Sequence, residues 1–227
     1  MTTLESLMEP LRHSPLLPDV VKELQGQLEA EQERRNRFYA EMTADQKVEF
    51  IDGEIVMHSP ARNRHLDVTG FVFVLLHTFV RLRKLGTVKA EKCLCVFPRN
   101  DYEPDAVFFG AQKAAALNDE TMKFPVPDLV VEVLSESTKA RDRGVKFEDF
   151  EAHGVGEYWI VEAEESLVEQ YVRKEEAGQG FELKMKGSTG RLVSSVVTGF
   201  EVEVEALFDE EKNLEALAQL MGGFDSD

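Results

Sequence analysis

Hydrophobic positions near the start of the chain repeat with helical spacing. Leu17, Val21, Leu24 and Leu28 are separated by four, three and four residues, which is the spacing of a heptad seam. The seam stops after about two heptads, so it is too short for a free coiled coil. The pattern predicts a leading helical arm, running to about residue 38, that packs on its own domain or on a second subunit.

Strand and helix patterns alternate after the arm. Asp52-Gly53 between two apolar runs predicts a tight hairpin turn. A wide apolar face over residues 65–85 predicts a helix that Gly86 ends. Two strands, a strand buried on both faces, a helix and a further buried strand are then predicted, over residues 87–97, 105–109, 128–134, 139–153 and 157–161.

The last part of the chain is rich in short strands. Apolar runs separated by Gly and Ser predict four strands and a final helix, over residues 167–172, 181–186, 192–197, 200–204 and 207–220. The strand–helix–strand unit over residues 128–161 is expected to form a right-handed parallel crossover. The order of elements predicts an α/β protein with a mixed sheet flanked by helices. We expect an arm at residues 1–40, a domain at 41–208 and an acidic tail at 209–227.

Charge and cysteine content narrow the picture. The net charge of −17 argues against a general nucleic-acid-binding protein. Its distribution is uneven, because residues 61–99 carry eight basic and two acidic side chains while residues 201–227 carry nine acidic ones and Lys212. On charge alone, solvated faces and a solubilising tail are the favoured interpretation. Cys93 and Cys95 are predicted to be buried free thiols.

No secretion signal and no apolar run long enough to cross a bilayer is recognised in the sequence. A cytoplasmic protein without a membrane partner is therefore expected.

The most informative polar residue is Glu132, in the middle of an apolar strand. A buried carboxylate must meet a metal, a cation or a hydrogen-bond donor, and for a lone glutamate a paired core carboxylate is the favoured interpretation. Asp105 opens another predicted strand, and if the two strands are adjacent their oxygens suit Mg²⁺. Lys146 shares a helix face with Asp142, either as a solvated ion pair or as a cation that reaches back over the sheet end.

Several ordered motifs lie around these residues. They are EFIDGEIVMHSP at residues 49–60, His65, Pro104-Asp105, DLVVEVLS at 128–135, Ser137-Thr138, RDRGVK at 141–146 and GVGEYWIV at 154–161. Together they resemble the Uma-two family, which is described as a restriction-endonuclease-like family of the PD-(D/E)xK superfamily. The resemblance covers residues 38–208, and the arm lies outside the motifs.

The resemblance implies a restriction-endonuclease-like αβββαβ core, with a helical arm before it and a β-rich extension after it. Asp105 and Glu132 would be metal carboxylates, with the Val133 carbonyl as a further ligand. Leu134 stands where the superfamily has its lysine, and Lys146 on the following helix takes that place. The implied catalytic residues are Asp105, Glu132 and Lys146, with Mg²⁺ or Mn²⁺ as cofactor.

Other residues are implied to assist. Glu54, His65 and Asp142 would be accessory residues, although a surface or capping role is an equal alternative for Glu54 and His65. Phosphate contacts are expected from Arg62, Arg64, Arg81 and Arg83.

The expected function is endonucleolytic hydrolysis of phosphodiester bonds, with DNA as the first expected substrate. The alternative is a nuclease-fold protein that binds nucleic acid or a protein without cutting. A homodimer, joined through the arm, is compatible with both.

Overall fold

The computed structural model describes residues 4–43, 45–174 and 180–222. The helices are α1 (Leu4–Arg12), α2 (Leu17–Glu41), α3 (Asn63–Arg83), α4 (Ala111–Ala114), α5 (Lys139–Asp142), α6 (Val145–Ala152) and α7 (Glu210–Gly222), with a short 3-10 helix at Val204–Leu207. The strands are β1 (Val48–Ile51), β2 (Glu54–Met57), β3 (Gly86–Ala90), β4 (Leu94–Val96), β5 (Asp101–Tyr102), β6 (Ala106–Gly110), β7 (Lys123–Phe124), β8 (Leu129–Val133), β9 (Glu157–Glu162), β10 (Leu167–Arg173), β11 (Phe181–Gly187), β12 (Arg191–Val193) and β13 (Glu201–Glu203).

A six-stranded mixed sheet forms the centre of the fold, in the order β11-β10-β9-β8-β6-β3. Strands β8 and β9 are parallel and are connected through α5 and α6, while the other neighbours are antiparallel. The predicted crossover is therefore present, and α3, β3, β6, β8, α5–α6 and β9 reproduce the αβββαβ order. The β-rich extension supplies β10 and β11 to this sheet and forms the separate β12-β13 pair.

Alternation along β8 and β9 divides the core between two faces. Val131 and Trp159 pack with α3, the 3-10 helix and the β12-β13 pair on one face. Val130 and Tyr158 pack with Phe150 of α6 on the other. Because side chains alternate along a strand, Glu132 points to the face that α6 covers. The fold thus directs this carboxylate towards the helix that carries Lys146.

A second sheet, in the order β2-β1-β5-β4-β7, holds the C-terminal half of α2. The buried Arg35 of α2 donates to both oxygens of Asp101, over 2.6 and 2.8 Å, and to the carbonyls of Phe97 and Asn100. Tyr39 also donates to Asp101. These contacts fix the end of the arm to β5.

The seam at the start of α2 has a different environment. Val21, Leu24 and Leu28 are 43, 50 and 55% exposed. The arm was predicted to pack on its own domain or on a second subunit. Within the described residues, its own domain does not cover this stretch.

Three predicted elements are corrected by the structure. The strand expected over residues 87–97 is two strands in different sheets, because Glu91 turns the chain with a φ of 62°. The helix expected over residues 139–153 is broken into α5 and α6 at Gly144, where a Cβ atom would lie 2.7 Å from the Ala140 carbonyl oxygen. Lys84, in the left-handed conformation, ends α3 instead of Gly86.

The acidic C-terminal segment is mostly helical. The predicted final helix is present as α7, whose buried Asn213 donates to the carbonyls of Phe71 and Ala206. Residues 209–222 are thus packed on α3, and residues 223–227 of the expected tail lie outside the described residues.

By length and composition alone, α3 could cross a membrane, and it is the one helix in the described parts of the chain that could. Its face with Val68, Val72 and Leu75 is buried in the core against the central sheet. This packing is that of the central helix of a globular domain.

Replacing Arg35 with Met should lower the free energy of unfolding by about 3 to 5 kcal/mol, because Asp101 would remain buried without its cation. Urea denaturation measures the change. Arg37→Met, at an exposed position on the same helix, is the control and should stay within about 0.5 kcal/mol of the wild type. Equal effects of the two substitutions would contradict the anchoring role of Arg35.

Candidate active site

The two predicted metal carboxylates come from adjacent strands. Asp105 directly precedes β6, and Glu132 lies on β8, with Ala106 opposite Val131 in the antiparallel pair. The backbone N–H of Val133 donates to Asp105 Oδ2 over 2.8 Å. Both carboxylates are buried. The structure thus brings Asp105 and Glu132 to the same end of the sheet, as a metal site shared by the two carboxylates would require.

Lys146 reaches Glu132 from α6. Its Nζ lies 2.8 Å from Glu132 Oε1, 2.8 Å from Glu49 Oε1 and 3.2 Å from Asp142 Oδ1. Its side chain is only 2% exposed. The break at Gly144 gives α5 and α6 separate axes, and Asp142 and Lys146 flank that break. A buried ammonium group among three carboxylates therefore links β1, β8, α5 and α6.

Glu49 was not singled out by the sequence analysis, although it belongs to this cluster. It is fully buried on β1, its Oε1 accepts a hydrogen bond from the Glu103 N–H, and its Oε2 lies 3.1 Å from His58 Nε2. A usable signal existed, because Glu49 stands among apolar residues in a strand, as Glu132 does. Glu54, which was predicted as an accessory residue, is exposed on β2 and has no described contact with the cluster.

The far side of Asp105 carries two further groups. Lys47 Nζ lies 3.0 Å from Asp105 Oδ1, and His65 Nε2 lies 3.5 Å from the same oxygen. His65 was predicted as an accessory residue, and its place at the start of α3 brings it to the cluster. Lys47 was not predicted, since a lysine just before a strand carries no distinguishing sequence pattern.

Four carboxylates in this cluster face two ammonium groups. The carboxylates are Glu49, Asp105, Glu132 and Asp142, and the ammonium groups are Lys47 and Lys146. With these six groups ionised and the neighbouring His58 and His65 neutral, two negative charges remain uncompensated in a largely buried site. Such an excess needs protons or further positive charge.

The pKa shifts show where a proton would go. Burial raises the pKa of Glu132 well above its usual range, and the charges of Asp142 and Asp105 oppose the lowering effect of Lys146. Burial also acts on Asp105, but the hydrogen bond with His65 and the charge of Lys47 hold its pKa well below the usual range. The pKa of Glu49 is lowered to about 2, despite burial, by Lys146 and His58. Burial also raises the pKa of Asp142, but not as far as that of Glu132, so Glu132 is the first of the four carboxyls to take a proton when no further cation is present.

The donor set fits a hard divalent cation. Asp105 and Glu132 supply carboxylate oxygens on neighbouring strands, the surplus charge is negative, and neither buried oxygen of Asp142 accepts a well-aligned hydrogen bond. No group of three or more His, Cys, Asp or Glu side chains within the described ranges forms a ready-made metal cage. Mg²⁺ does not require one, because it keeps several waters and uses one or two carboxylates together with phosphate.

The expected arginine contacts do not converge on this cluster. Arg64 donates to the carbonyls of Ala163 and Phe208, so its guanidinium is used in packing the end of α3. Arg62 is exposed beside Glu164. Arg81 and Arg83 lie at the opposite end of α3, about 24 and about 27 Å from His65 at 1.5 Å per helical residue. Arginine side chains at the two ends of α3 could therefore not contact the same phosphate group at the cluster.

The geometry is that of a nuclease-like α/β fold with paired carboxylates at one end of its sheet. Residues 33–205 match the family Uma2, described as "Putative restriction endonuclease". The chain belongs to this family, which confirms the resemblance read from the motifs. The family supports a nuclease.

A solved structure shows the same fold. It is described as "a putative nuclease belonging to DUF820" from Anabaena variabilis ATCC 29413, and the superposition has a TM-score of 0.65. The match covers 80% of this chain and 97% of that chain, at 16% sequence identity. This similarity confirms the predicted fold. No match was found among curated proteins.

Replacing Glu132 with Gln should stabilise the metal-free protein at neutral and alkaline pH. The folded-state pKa of Glu132 is raised above its unfolded value, so the wild type loses stability as pH rises between those two values. The advantage of the Gln variant should therefore grow with pH in that window, by up to about 1.4 kcal/mol per pH unit.

Urea denaturation in EDTA between pH 5 and pH 8 measures this difference. Glu54→Gln, an exposed carboxylate on β2, should show no such trend. A Glu132→Gln variant that is less stable than the wild type at every pH would mean that attraction to Lys146 outweighs burial and repulsion.

Proposed function

We propose that this protein is a divalent-metal-dependent endonuclease that hydrolyses phosphodiester bonds, with DNA as the first substrate to test. The observation that carries the proposal is the pair Asp105 and Glu132, on adjacent strands, in a cluster with surplus negative charge. Membership of a restriction endonuclease family supports the reaction class. Metal dependence and the nucleic-acid type are the steps taken beyond that membership.

Asp105, Glu132 and the Val133 carbonyl would hold Mg²⁺ or Mn²⁺. When bound at such carboxylates, the cation polarises a phosphate oxygen and lowers the pKa of a water ligand. The chain prepares the ligands in advance. Asp105 Oδ2 accepts a hydrogen bond from the Val133 N–H, and Asp105 Oδ1 lies 3.0 Å from Lys47 Nζ and 3.5 Å from His65 Nε2, so the orientation of this carboxylate is defined.

In this proposal, Lys146 is a positioning residue for Glu132. The Lys146 side chain is only 2% exposed, and three carboxylate oxygens lie within 3.2 Å of its Nζ. The charge of Lys146 opposes protonation of Glu132, although burial and the neighbouring carboxylates outweigh this effect in the metal-free protein. Asp142 and Glu49 share the ammonium group and hold it in place. This positioning role differs from the direct catalytic role that the family resemblance implied for Lys146.

Cleavage assays test the proposal. The purified wild type should cut DNA in the presence of Mg²⁺ or Mn²⁺ and not in EDTA. Asp105→Asn and Glu132→Gln should each lose about 100-fold or more, because loss of a metal ligand costs at least as much as loss of its outer partners. Glu54→Gln should retain wild-type activity.

The assay should include duplex and single-stranded DNA and RNA. A folded wild type that leaves all of these intact with either metal would refute the proposed activity. Full activity of folded Asp105→Asn would refute the assignment of the site.

A protein that binds nucleic acid without cutting is the second candidate. The burial of Lys146 among carboxylates favours it, because an active-site lysine of the superfamily type would face the substrate. The net charge of −17 counts against this candidate, because it limits unspecific affinity for nucleic acid. Retention of labelled DNA by the wild type, without cleavage in Mg²⁺ or Mn²⁺, distinguishes this candidate.

The assembly proposed with this function is a homodimer joined through α2. Leu24 and Leu28 are exposed on the heptad seam. The e and g positions of the heptad that flank the seam between them are Gln25 and Gln27, which are uncharged. Two copies of this stretch can therefore meet without like-charge repulsion between flanking positions.

Light scattering in solution tests the dimer. The wild type should have the mass of two chains, and the double substitution Leu24→Glu with Leu28→Glu should have the mass of one, because buried like charges would oppose pairing. Lys22→Glu, away from the seam on the same helix, should remain dimeric. A monomeric wild type or a dimeric double variant would contradict the proposal.

A further inference from the structure

The two lysines of the cluster differ in what they can still bind. Lys146 is 2% exposed and has three carboxylate oxygens within 3.2 Å of its Nζ. Lys47 is 20% exposed, with one close oxygen, Asp105 Oδ1 at 3.0 Å, and a distant one, Glu91 Oε2 at 4.0 Å. An ammonium group has three N–H donors. Within the described parts of the chain, Lys47 is thus the lysine of this cluster that retains donor capacity towards solvent.

The backbone of Lys47 is held in place by the hairpin. Its carbonyl accepts a hydrogen bond from the His58 N–H over 3.2 Å, and the N–H of the next residue, Val48, donates to Glu103 Oε2 over 2.8 Å. The β1-β2 pairing continues from this point. The side chain therefore starts from a rigid position beside the carboxylates, and its flexible stem can shift the ammonium group from Asp105 to a nearby anion.

Charge at this position favours an anion that arrives together with a cation. Lys47 donates to Asp105 Oδ1 over 3.0 Å, and His65 Nε2 lies 3.5 Å from the same oxygen. When a divalent cation occupies the carboxylates, it competes with Lys47 for Asp105. The Lys47 ammonium group would then be able to bind a nearby substrate phosphate.

We infer that Lys47 is the lysine that contacts the substrate phosphate at this site, and that Lys146 does not. The inference rests on the proposed function, since it names the residue that binds the phosphate of the same substrate. It follows from the exposure of Lys47, its free donors and its contact with Asp105.

Binding of fluorescent DNA tests the inference, with Ca²⁺ replacing Mg²⁺ so that binding can be followed without cleavage. The dissociation constant is measured by anisotropy between about 50 and 200 mM salt, because each phosphate contact contributes about 0.9 to the logarithmic salt slope on duplex DNA. Lys47→Gln should reduce the slope by about 0.9, and Lys47→Arg should restore it. Lys184→Gln, exposed on β11, is the matched control for loss of one positive charge and should leave the slope unchanged.

Three results separate this inference from the proposed function. Cleavage by the wild type with an unaltered slope in folded Lys47→Gln would overturn the role of Lys47 and leave the nuclease intact. If the wild type binds DNA without cutting it, and the slope is reduced in Lys47→Gln but not in Lys47→Arg or Lys184→Gln, the phosphate contact of Lys47 would be supported and the proposed nuclease activity refuted. A wild type that neither binds nor cuts DNA or RNA would refute both.

Discussion

The arrangement of this site depends on the ion cluster around Lys146. One ammonium group, almost fully buried, is shared by Glu132 of β8, Glu49 of β1 and Asp142 of α5. Removing the Lys146 ammonium group would leave three buried carboxyl groups without their cation, which is costly. The cluster therefore fixes the six-stranded sheet, the β1-β2 hairpin and the α5–α6 crossover relative to one another at the end of β8.

The same cluster explains why the site has surplus negative charge. Lys146 compensates one carboxylate, although three surround it, and Lys47 compensates Asp105 from the outer side. Of these carboxyls, Glu132 has the pKa that burial raises most clearly, so it is the one that would release a proton if the proposed cation bound. Metal-free stability and metal affinity are thus opposed at one residue, as is common at functional sites.

Much of the fold could be predicted from local patterns. The apolar runs of β8 and β9 indicate strands covered on both faces, and the helical pattern of α3 indicates the element that covers one of them. The breaks at Glu91 and Gly144 were not predictable in this way, because the runs on either side continue the same pattern. A single residue with an unusual backbone conformation is enough to divide such a run.

The site was predictable only where a residue stands out against its own element. Glu132 does, because a carboxylate in an apolar strand must find a partner. Glu49 shows the same pattern, because it also lies in a strand of apolar residues. Lys47 shows no pattern, since its role arises from the packing of β1 beside the end of β6, which is a contact between distant parts of the chain.

The central claim is that Asp105 and Glu132, held by Lys146, form a divalent-cation site. Isothermal titration calorimetry of Mn²⁺ into the metal-free protein tests it most directly, because it does not require the substrate to be known. The account predicts saturable binding of Mn²⁺ to the wild type and loss of that binding in folded Asp105→Asn. No binding by the wild type, or equal binding by Asp105→Asn, would contradict it.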